Sequence, residues 1–283
     1  MTQPRVTLHE AAERLGVHYM TAYRYVRTGR LPAERDGAHW LVDPIELERL
    51  AAQPSPRPRG HARAAAPDRL AARLVAGDEA GAWSIVESTL ASGADVDDVL
   101  VDVIAAAMRD IGDGWVAGSL DVSDEHRATV VVGRIVGRMG PRFTRRGPKR
   151  GMIVLGAPEG EEHAVPCAIL ADLLRAARFE VHDLGADTPT ASFPVAADHA
   201  ERLVGVMIGV TTTGGEGAAA AGFSALRHAG ITVPLFVGGA AITDADHARR
   251  LGADQWTGRD GRTAVTTVER VLHARPGPPS SRA

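Results

Sequence analysis

Apolar positions along the chain change their spacing twice, and the changes divide it into three regions. In the first, Leu8, Ala11, Ala12 and Leu15 recur at helical spacing behind Thr7 and Glu10, a capping-box pair that opens a helix. Gly16-Val17 marks a tight turn, and a second helix is expected over residues 18–28, ended by Gly29. Leu31-Pro32 leads into an extended stretch that turns at Asp36-Gly37 and returns through Trp40-Leu41-Val42. Asp43-Pro44 then opens a third helix over residues 45–50. Helix, turn, helix, β-wing and helix is a winged helix-turn-helix layout.

Residues 53–67 read QPSPRPRGHARAAAP, with no apolar period, and predict a solvated linker. From Asp68 the spacing is helical through Leu70, Leu74 and Val75, then over 82–90, 96–111 and 123–139. Four helices with short polar breaks suggest a four-helix bundle. After Gly151 the pattern changes again. Short apolar runs at 152–155, 179–184, 204–210 and 233–237 alternate with helical stretches at 166–177, 192–202, 218–229 and 245–251; a short strand at 253–256 precedes a helix over 263–274. Such alternation predicts a doubly wound parallel sheet, which takes ligands beyond the carboxyl ends of its strands.

The expected architecture is multidomain. An all-α winged helix-turn-helix head (1–52) and a linker (53–67) precede a four-helix bundle (68–147) and an α/β Rossmann-like domain with a parallel sheet (148–275). Residues 276–283 are expected to form a disordered tail.

Composition changes this picture little; charge distribution changes it more. Of the 283 residues 45% are hydrophobic and 24% charged, which is ordinary globular usage. Cys167 is the only cysteine, so no intramolecular disulfide forms, and no apolar run approaches membrane-spanning length. With no signal pattern in its first residues, the protein is expected to be cytoplasmic, with no membrane partner. Net charge is -3, yet residues 1–67 hold ten arginines against seven acids, about +3, which leaves about -6 for the rest. A basic head on an acidic body suits DNA binding with an attached sensory domain. His182, His199, His228 and His247 are scattered, no independent catalytic constellation is evident, and the chain is not expected to be an enzyme.

The loop after the first Rossmann-like strand carries the candidate chemistry: Glu159-Gly160-Glu161-Glu162-His163-Ala164-Val165-Pro166. A histidine two residues after a carboxylate has the parts of a metal ligand with its orienting partner. One ring nitrogen meets the metal while Glu161 accepts the proton on the other. The segment resembles the cobalamin-binding family, whose pattern is acid-x-His-x-x-Gly, then Ser-x-Leu or a variant, then Gly-Gly. Glu161-x-His163, Thr211-x-Thr213 and Gly238-Gly239 stand at these three places; Pro166 takes the glycine position, and threonines replace serine and leucine. The resemblance implies that His163 is the lower cobalt ligand in place of the cofactor's own base. It also implies that the displaced nucleotide tail enters a slot for which Thr211, Gly214 and Gly238-Gly239 supply small residues.

The helical region adds Trp115, nine intervening residues, then Glu125-His126. This spacing resembles the CarH/LitR family of light-responsive, cobalamin-dependent MerR-type regulators. The likeness implies that the bundle covers the upper corrin face, with Trp115 beside a 5′-deoxyadenosyl group and Glu125 contacting it. His126 is then able to ligate cobalt once that group leaves. By the same likeness the cofactor is adenosylcobalamin, which in the dark stabilises an oligomer, a tetramer, that binds operator DNA and represses. Light removes the adenosyl group and loosens the assembly.

Helix two of the head displays His18, Thr21, Arg24, Tyr25 and Arg27, with Arg35 on the wing, as candidate contacts to double-stranded DNA. The run Tyr23-Arg24-x-Val26-Arg27-x-Gly29-x-Leu31-Pro32 looks like the MerR/excisionase type. A single head covers few base pairs, so useful affinity requires several per complex. Two alternatives stand beside the light switch: a light-independent sensor of cobalamin or another tetrapyrrole, and a corrinoid carrier for methyl transfer.

Overall fold

The computed structural model describes residues 5–15, 22, 25–26, 31–36, 39–52, 66–144 and 147–273. The chain divides into two compact units, 1–61 and 62–283, each taken by itself here.

The first unit is not all-α. Strands β1 (Val6–Thr7), β2 (Ala33–Asp36) and β3 (His39–Val42) form an antiparallel sheet in the order β1-β3-β2. The two-residue β1 was missed because a pair of residues shows no alternation. It is a strand only because Val6 and Thr7 pair with Val42 and Leu41. Helix α1 (Leu8–Arg14) follows at once, with the capping box in place: Thr7 accepts from the Glu10 backbone, and Glu10 accepts from the Thr7 N–H at 2.8 Å. Helix α2 (Pro44–Ala52) closes the unit, and Leu8, Ala11, Ala22, Leu31, Val42 and Leu47 form its core. Exchanging Thr7 for alanine leaves the first-turn donors to water and is expected to cost about 1 kcal/mol. Faster amide exchange at Glu10 checks this.

The second unit begins with helices α3 (Ala66–Val75) and α4 (Glu79–Ala91). A longer helical stretch follows, made of α5 (Val96–Asp98), a π turn (Val99–Ile104) and α6 (Ala105–Val116); then comes α7 (Val122–Met139). Leu70, Leu74, Val86, Leu100, Ile104, Ile111, Val132 and Ile135 are buried together between them. Ile169 and Leu173, from the domain that follows, join the same cluster, so helices and sheet domain share apolar packing.

The sheet domain holds five parallel strands: β4 (Met152–Gly156), β5 (Glu180–Asp183), β6 (Leu203–Gly209), β7 (Leu235–Gly238) and β8 (Gln255–Trp256). Their order is β5-β4-β6-β7-β8. Strand β4 is buried at every position, as expected of a central parallel strand covered on both faces. Helices α8 (Ala164–Ala176) and α12 (Gly261–His273) share the core on one face, with Cys167, Leu174 and Val268. Helices α9 (Ser192–Asp198), α10 (Glu216–His228) and α11 (Ala245–Arg250) share the other, with Phe193, Phe223 and Ala248. The chain leaves β4 to one side for β5 and returns to its other side for β6. The loops after β4 and β6 therefore diverge and open the crevice where such sheets take ligands.

Candidate functional site

Glu161 and His163 lie in the loop after β4, and Thr211 and Thr212 follow β6, so the switch point brings both segments together. The loop is shaped by its neighbour. Gly160 adopts φ +83° and donates its N–H to Asp187 Oδ1 at 2.8 Å, while the Asp187 N–H reaches the Glu161 carbonyl at 2.8 Å. His163 is the N-cap of α8 rather than a mid-loop residue. Pro166 is therefore the third helical residue instead of the first. Its missing N–H costs little there, because first-turn amides have no partner four residues back.

The Glu161 side chain is fully buried and receives donors from two sides. Oε2 accepts the backbone N–H groups of Thr211 and Thr212, both at 2.7 Å. Oε1 accepts His163 Nδ1 at 2.6 Å, the Thr212 hydroxyl at 3.1 Å and the His163 N–H at 3.2 Å. Burial pushes the carboxyl up, but the hydrogen bonds from His163, Thr212 and Thr211 outweigh it and bring its pKa down to about 2. The bond to Glu161 in turn raises the His163 pKa against burial. With Nδ1–H committed to Glu161, the free lone pair of the neutral ring is on Nε2, and the ring is half-exposed. The arrangement fixes a tautomer and presents one nitrogen to a metal.

These shifts set a pH window. The depressed Glu161 contributes stability that is present above its ordinary value of 4.5 and lost as pH falls towards about 2. That gap is worth no more than about 3 kcal/mol. The raised His163 contributes stability present below 6.5 and lost as pH rises through its folded value. The pair therefore supports the fold most between about pH 4.5 and 6.5. Urea midpoints across pH 2–9 are expected to show this maximum in the wild type and to lose it in Glu161→Ala.

Thr212, not Thr213, meets the pair. Its hydroxyl lies 3.1 Å from both Glu161 Oε1 and His163 Nδ1, whereas Thr213 is exposed. Thr211 contributes through its backbone alone. Gly238 and Gly239 stand where strand and loop backbones come close. A Cβ on Gly239, at φ +113°, lies 2.2 Å from the Val210 carbonyl oxygen, and one on Gly238 lies 2.2 Å from Thr257 Oγ1. Both glycines admit neighbouring protein atoms at a distance that no side chain allows. Gly214, at φ +106°, has open space instead.

In the helical region, Trp115 is the penultimate residue of α6 and is half-exposed, with Val116 and Val122 also exposed. Glu125 accepts the Thr129 hydroxyl at 2.7 Å, and its charge helps to raise the His163 pKa. His126 Nδ1 lies 2.9 Å from the Val122 carbonyl. As donor to that carbonyl it leaves Nε2 with the lone pair, on a largely exposed ring. Glu161 and His163 thus stand at the mouth of the crevice, while Trp115, Glu125 and His126 lie near the end of α6 and the start of α7. A metal carried inside a macrocycle needs few protein ligands, and these two imidazoles are of the required kind.

In the head, Arg35 is exposed on β2 and pairs in register with Trp40. Tyr25 is half-buried against the head core, so part of its ring serves packing. His18, Thr21, Arg24 and Arg27 lie outside the described residues. Among the described residues, no helix is long and apolar enough to cross a membrane.

Comparison with known proteins agrees with this division. Residues 67–139 match the model of a B12 binding domain, and residues 6–55 match that of a helix-turn-helix domain. Trimethylamine corrinoid protein 1 of Methanosarcina acetivorans is 29% identical over 201 residues, which make up 69% of this chain and 91% of that protein. Dimethylamine corrinoid protein 3 of Methanosarcina mazei is 33% identical over 131 residues, 44% of this chain and 74% of that protein. The solved structure of the monomethylamine corrinoid protein of Methanosarcina barkeri aligns with a TM-score of 0.62 at 18% identity, covering 71% of this chain and 96% of that one. This last likeness is one of fold.

Proposed function

Because the chain belongs to the family of B12-binding corrinoid proteins, we propose that it is a cobalamin-dependent regulator in which the corrinoid unit governs a DNA-binding head. The observation that carries this reading is the joining of a helix-turn-helix domain to a corrinoid unit. In the trimethylamine relative the matched region is already 91% of the protein, which leaves too little to hold a head the size of residues 6–55.

In this reading His163 Nε2 is the lower cobalt ligand, and Glu161 and Thr212 hold the ring in the tautomer that permits it. Trp115, Val116 and Val122 offer apolar surface to the upper side. His126 presents a second Nε2 from α7, with Nδ1 already satisfied by Val122. We assign the upper ligand as 5′-deoxyadenosyl and the signal as light. Bound there, adenosylcobalamin supplies a cobalt–carbon bond that light breaks. Trp115 and Glu125 would hold the upper group and His126 would take its place once it leaves, a difference that would bias the protein between two assembly states. Heads held together in an oligomer bind repeated sites by multivalency, so a shift in assembly becomes a shift in DNA affinity.

A second reading, a corrinoid carrier for methyl transfer, is favoured by the names of the two relatives above, both corrinoid proteins. The two separate by experiment. Duplexes selected from a random pool by the full chain are titrated with and without adenosylcobalamin, in the dark and after illumination. The regulator reading expects sequence-selective binding that changes at least about tenfold, equivalent to about 1.4 kcal/mol, with cofactor and light. A change with cofactor alone leaves a light-independent sensor. Absence of sequence-selective binding supports the carrier.

A further inference from the structure

The loop that carries Glu161 and His163 has little packing of its own. From Glu159 to Ala164 every residue but Glu161 is exposed, so hydrogen bonds rather than apolar contacts set its course. One partner supplies two of them. Asp187, in the loop after β5, accepts the Gly160 N–H on Oδ1 at 2.8 Å and donates its own N–H to the Glu161 carbonyl at 2.8 Å. The two contacts fall on either side of the Glu161 Cα and close a clasp about the one residue of the loop whose side chain is buried.

Asp187 is itself held in place. Its φ is +48°, in the left-handed region that aspartate and asparagine enter more readily than other residues with side chains. The next residue, Thr188, is buried, donates its N–H to the Ala157 carbonyl at 3.0 Å and forms an isolated parallel bridge with Pro158. Ala157 in turn donates to the Gly185 carbonyl at 2.8 Å. The clasp is therefore anchored on the end of β4. A residue kept in a sparsely populated backbone conformation by its surroundings is a pointer to function.

We infer that Asp187 is a positioning residue for the His163 site: its clasp sets the course of the loop so that the Glu161 carboxylate reaches Thr211 and Thr212 at the end of β6. Through Glu161 it thereby orients the His163 ring. Among the described residues no hydrogen bond joins Asp187 to Thr211, Thr212 or that ring, so its effect on them passes through the loop backbone. What the ring does with a corrinoid rests on the reading above, but the clasp is measured on the protein without cofactor. Failure of one is therefore distinguishable from failure of the other.

Nuclear magnetic resonance of the cofactor-free full chain tests this. Three protons report on Glu161: the Thr211 and Thr212 N–H, each 2.7 Å from Oε2 by its nitrogen, and the His163 Nδ1 proton, with Nδ1 2.6 Å from Oε1. Short bonds to a charged acceptor hold all three downfield. The Val206 N–H, bonded to the Pro234 carbonyl from within β6, is the control. Asp187→Gly keeps the left-handed backbone but removes the acceptor. Both threonine signals should move upfield towards their open-chain positions and the His163 ring signal should be lost, while Val206 stays in place. Asp187→Asn keeps an acceptor oxygen and the backbone preference, and should keep the wild-type positions. In the wild type the exposed Gly160 N–H should exchange at least about tenfold more slowly than in an open chain, because it is bonded to a charged group. That measurement stands should Asp187→Gly not fold. Unmoved threonine signals in Asp187→Gly, an equal displacement of Val206, Asp187→Asn matching Asp187→Gly, or open-chain exchange at Gly160 overturns the inference.

Discussion

Replacing Glu161 by alanine is expected to weaken corrinoid affinity by about 10- to 100-fold, the usual cost of losing the partner that orients a metal-bound histidine. The reason lies in how many donors converge on one carboxylate. Removing it releases His163 Nδ1 and strands the Thr211 and Thr212 N–H groups at the end of β6. Among the described residues only the Thr212 hydroxyl otherwise meets the His163 ring, so both tautomers and several ring orientations become available. A glutamine does not repair the site. Donors face both carboxylate oxygens, so the amide NH₂ necessarily opposes a donor wherever it turns. Stability should fall as well, by about 3 kcal/mol for bonds to a buried charge left without replacement. Titration with hydroxocobalamin by absorbance, alongside urea unfolding, checks both effects. Affinity within twofold of wild type is incompatible with Glu161 orienting the ligand.

Replacing Gly239 by valine should unfold the sheet domain or bring it close to unfolding. The residue sits at φ +113°, a region that side-chain-bearing residues rarely occupy. A Cβ there meets Val210 backbone at 2.2 Å from the oxygen, 2.8 Å from the carbon and 3.0 Å from the nitrogen. None of these is the end of a flexible side chain, so the end of β6 must move, and with it the Thr211 and Thr212 donors. Strain and overpacking together are expected to exceed about 3 kcal/mol. Gly214→Val makes the control: it shares a positive φ but has open space, so it should cost about 1–2 kcal/mol, for backbone strain alone. Equal urea midpoints for the two variants contradict this.

Much of the fold was legible because period and punctuation agreed. Strand β4 announced itself as a continuous apolar run, and the later alternation of strands and helices fixed a parallel sheet with its ligand end at the strand termini. The Glu161-x-His163 pair could be read for the same reason, since both residues lie in one loop. What escaped was set by tertiary contact. Strand β1 exists only through its pairing with β3. The π turn at Val99–Ile104 is invisible because Val99, Leu100, Val101, Val103 and Ile104 are all buried, and such a run has no telling period. The role of Thr212 escaped because only the structure shows which threonine turns towards Glu161, 51 residues earlier. At Gly238 and Gly239 the structure adds close approach by Thr257 and Val210, which the sequence does not reveal.

The central claim, that His163 supplies the lower cobalt ligand, is tested most directly by electron paramagnetic resonance of cob(II)alamin. The protein is the full chain carrying His126→Ala and grown with nitrogen-15 histidine. An axial nitrogen splits the cobalt lines into doublets if it is nitrogen-15 and triplets if it is nitrogen-14. The account predicts doublets, from a histidine of the protein, that vanish when His163 is also replaced by alanine. Triplets, the signature of the cofactor's own unlabelled base still on cobalt, contradict it.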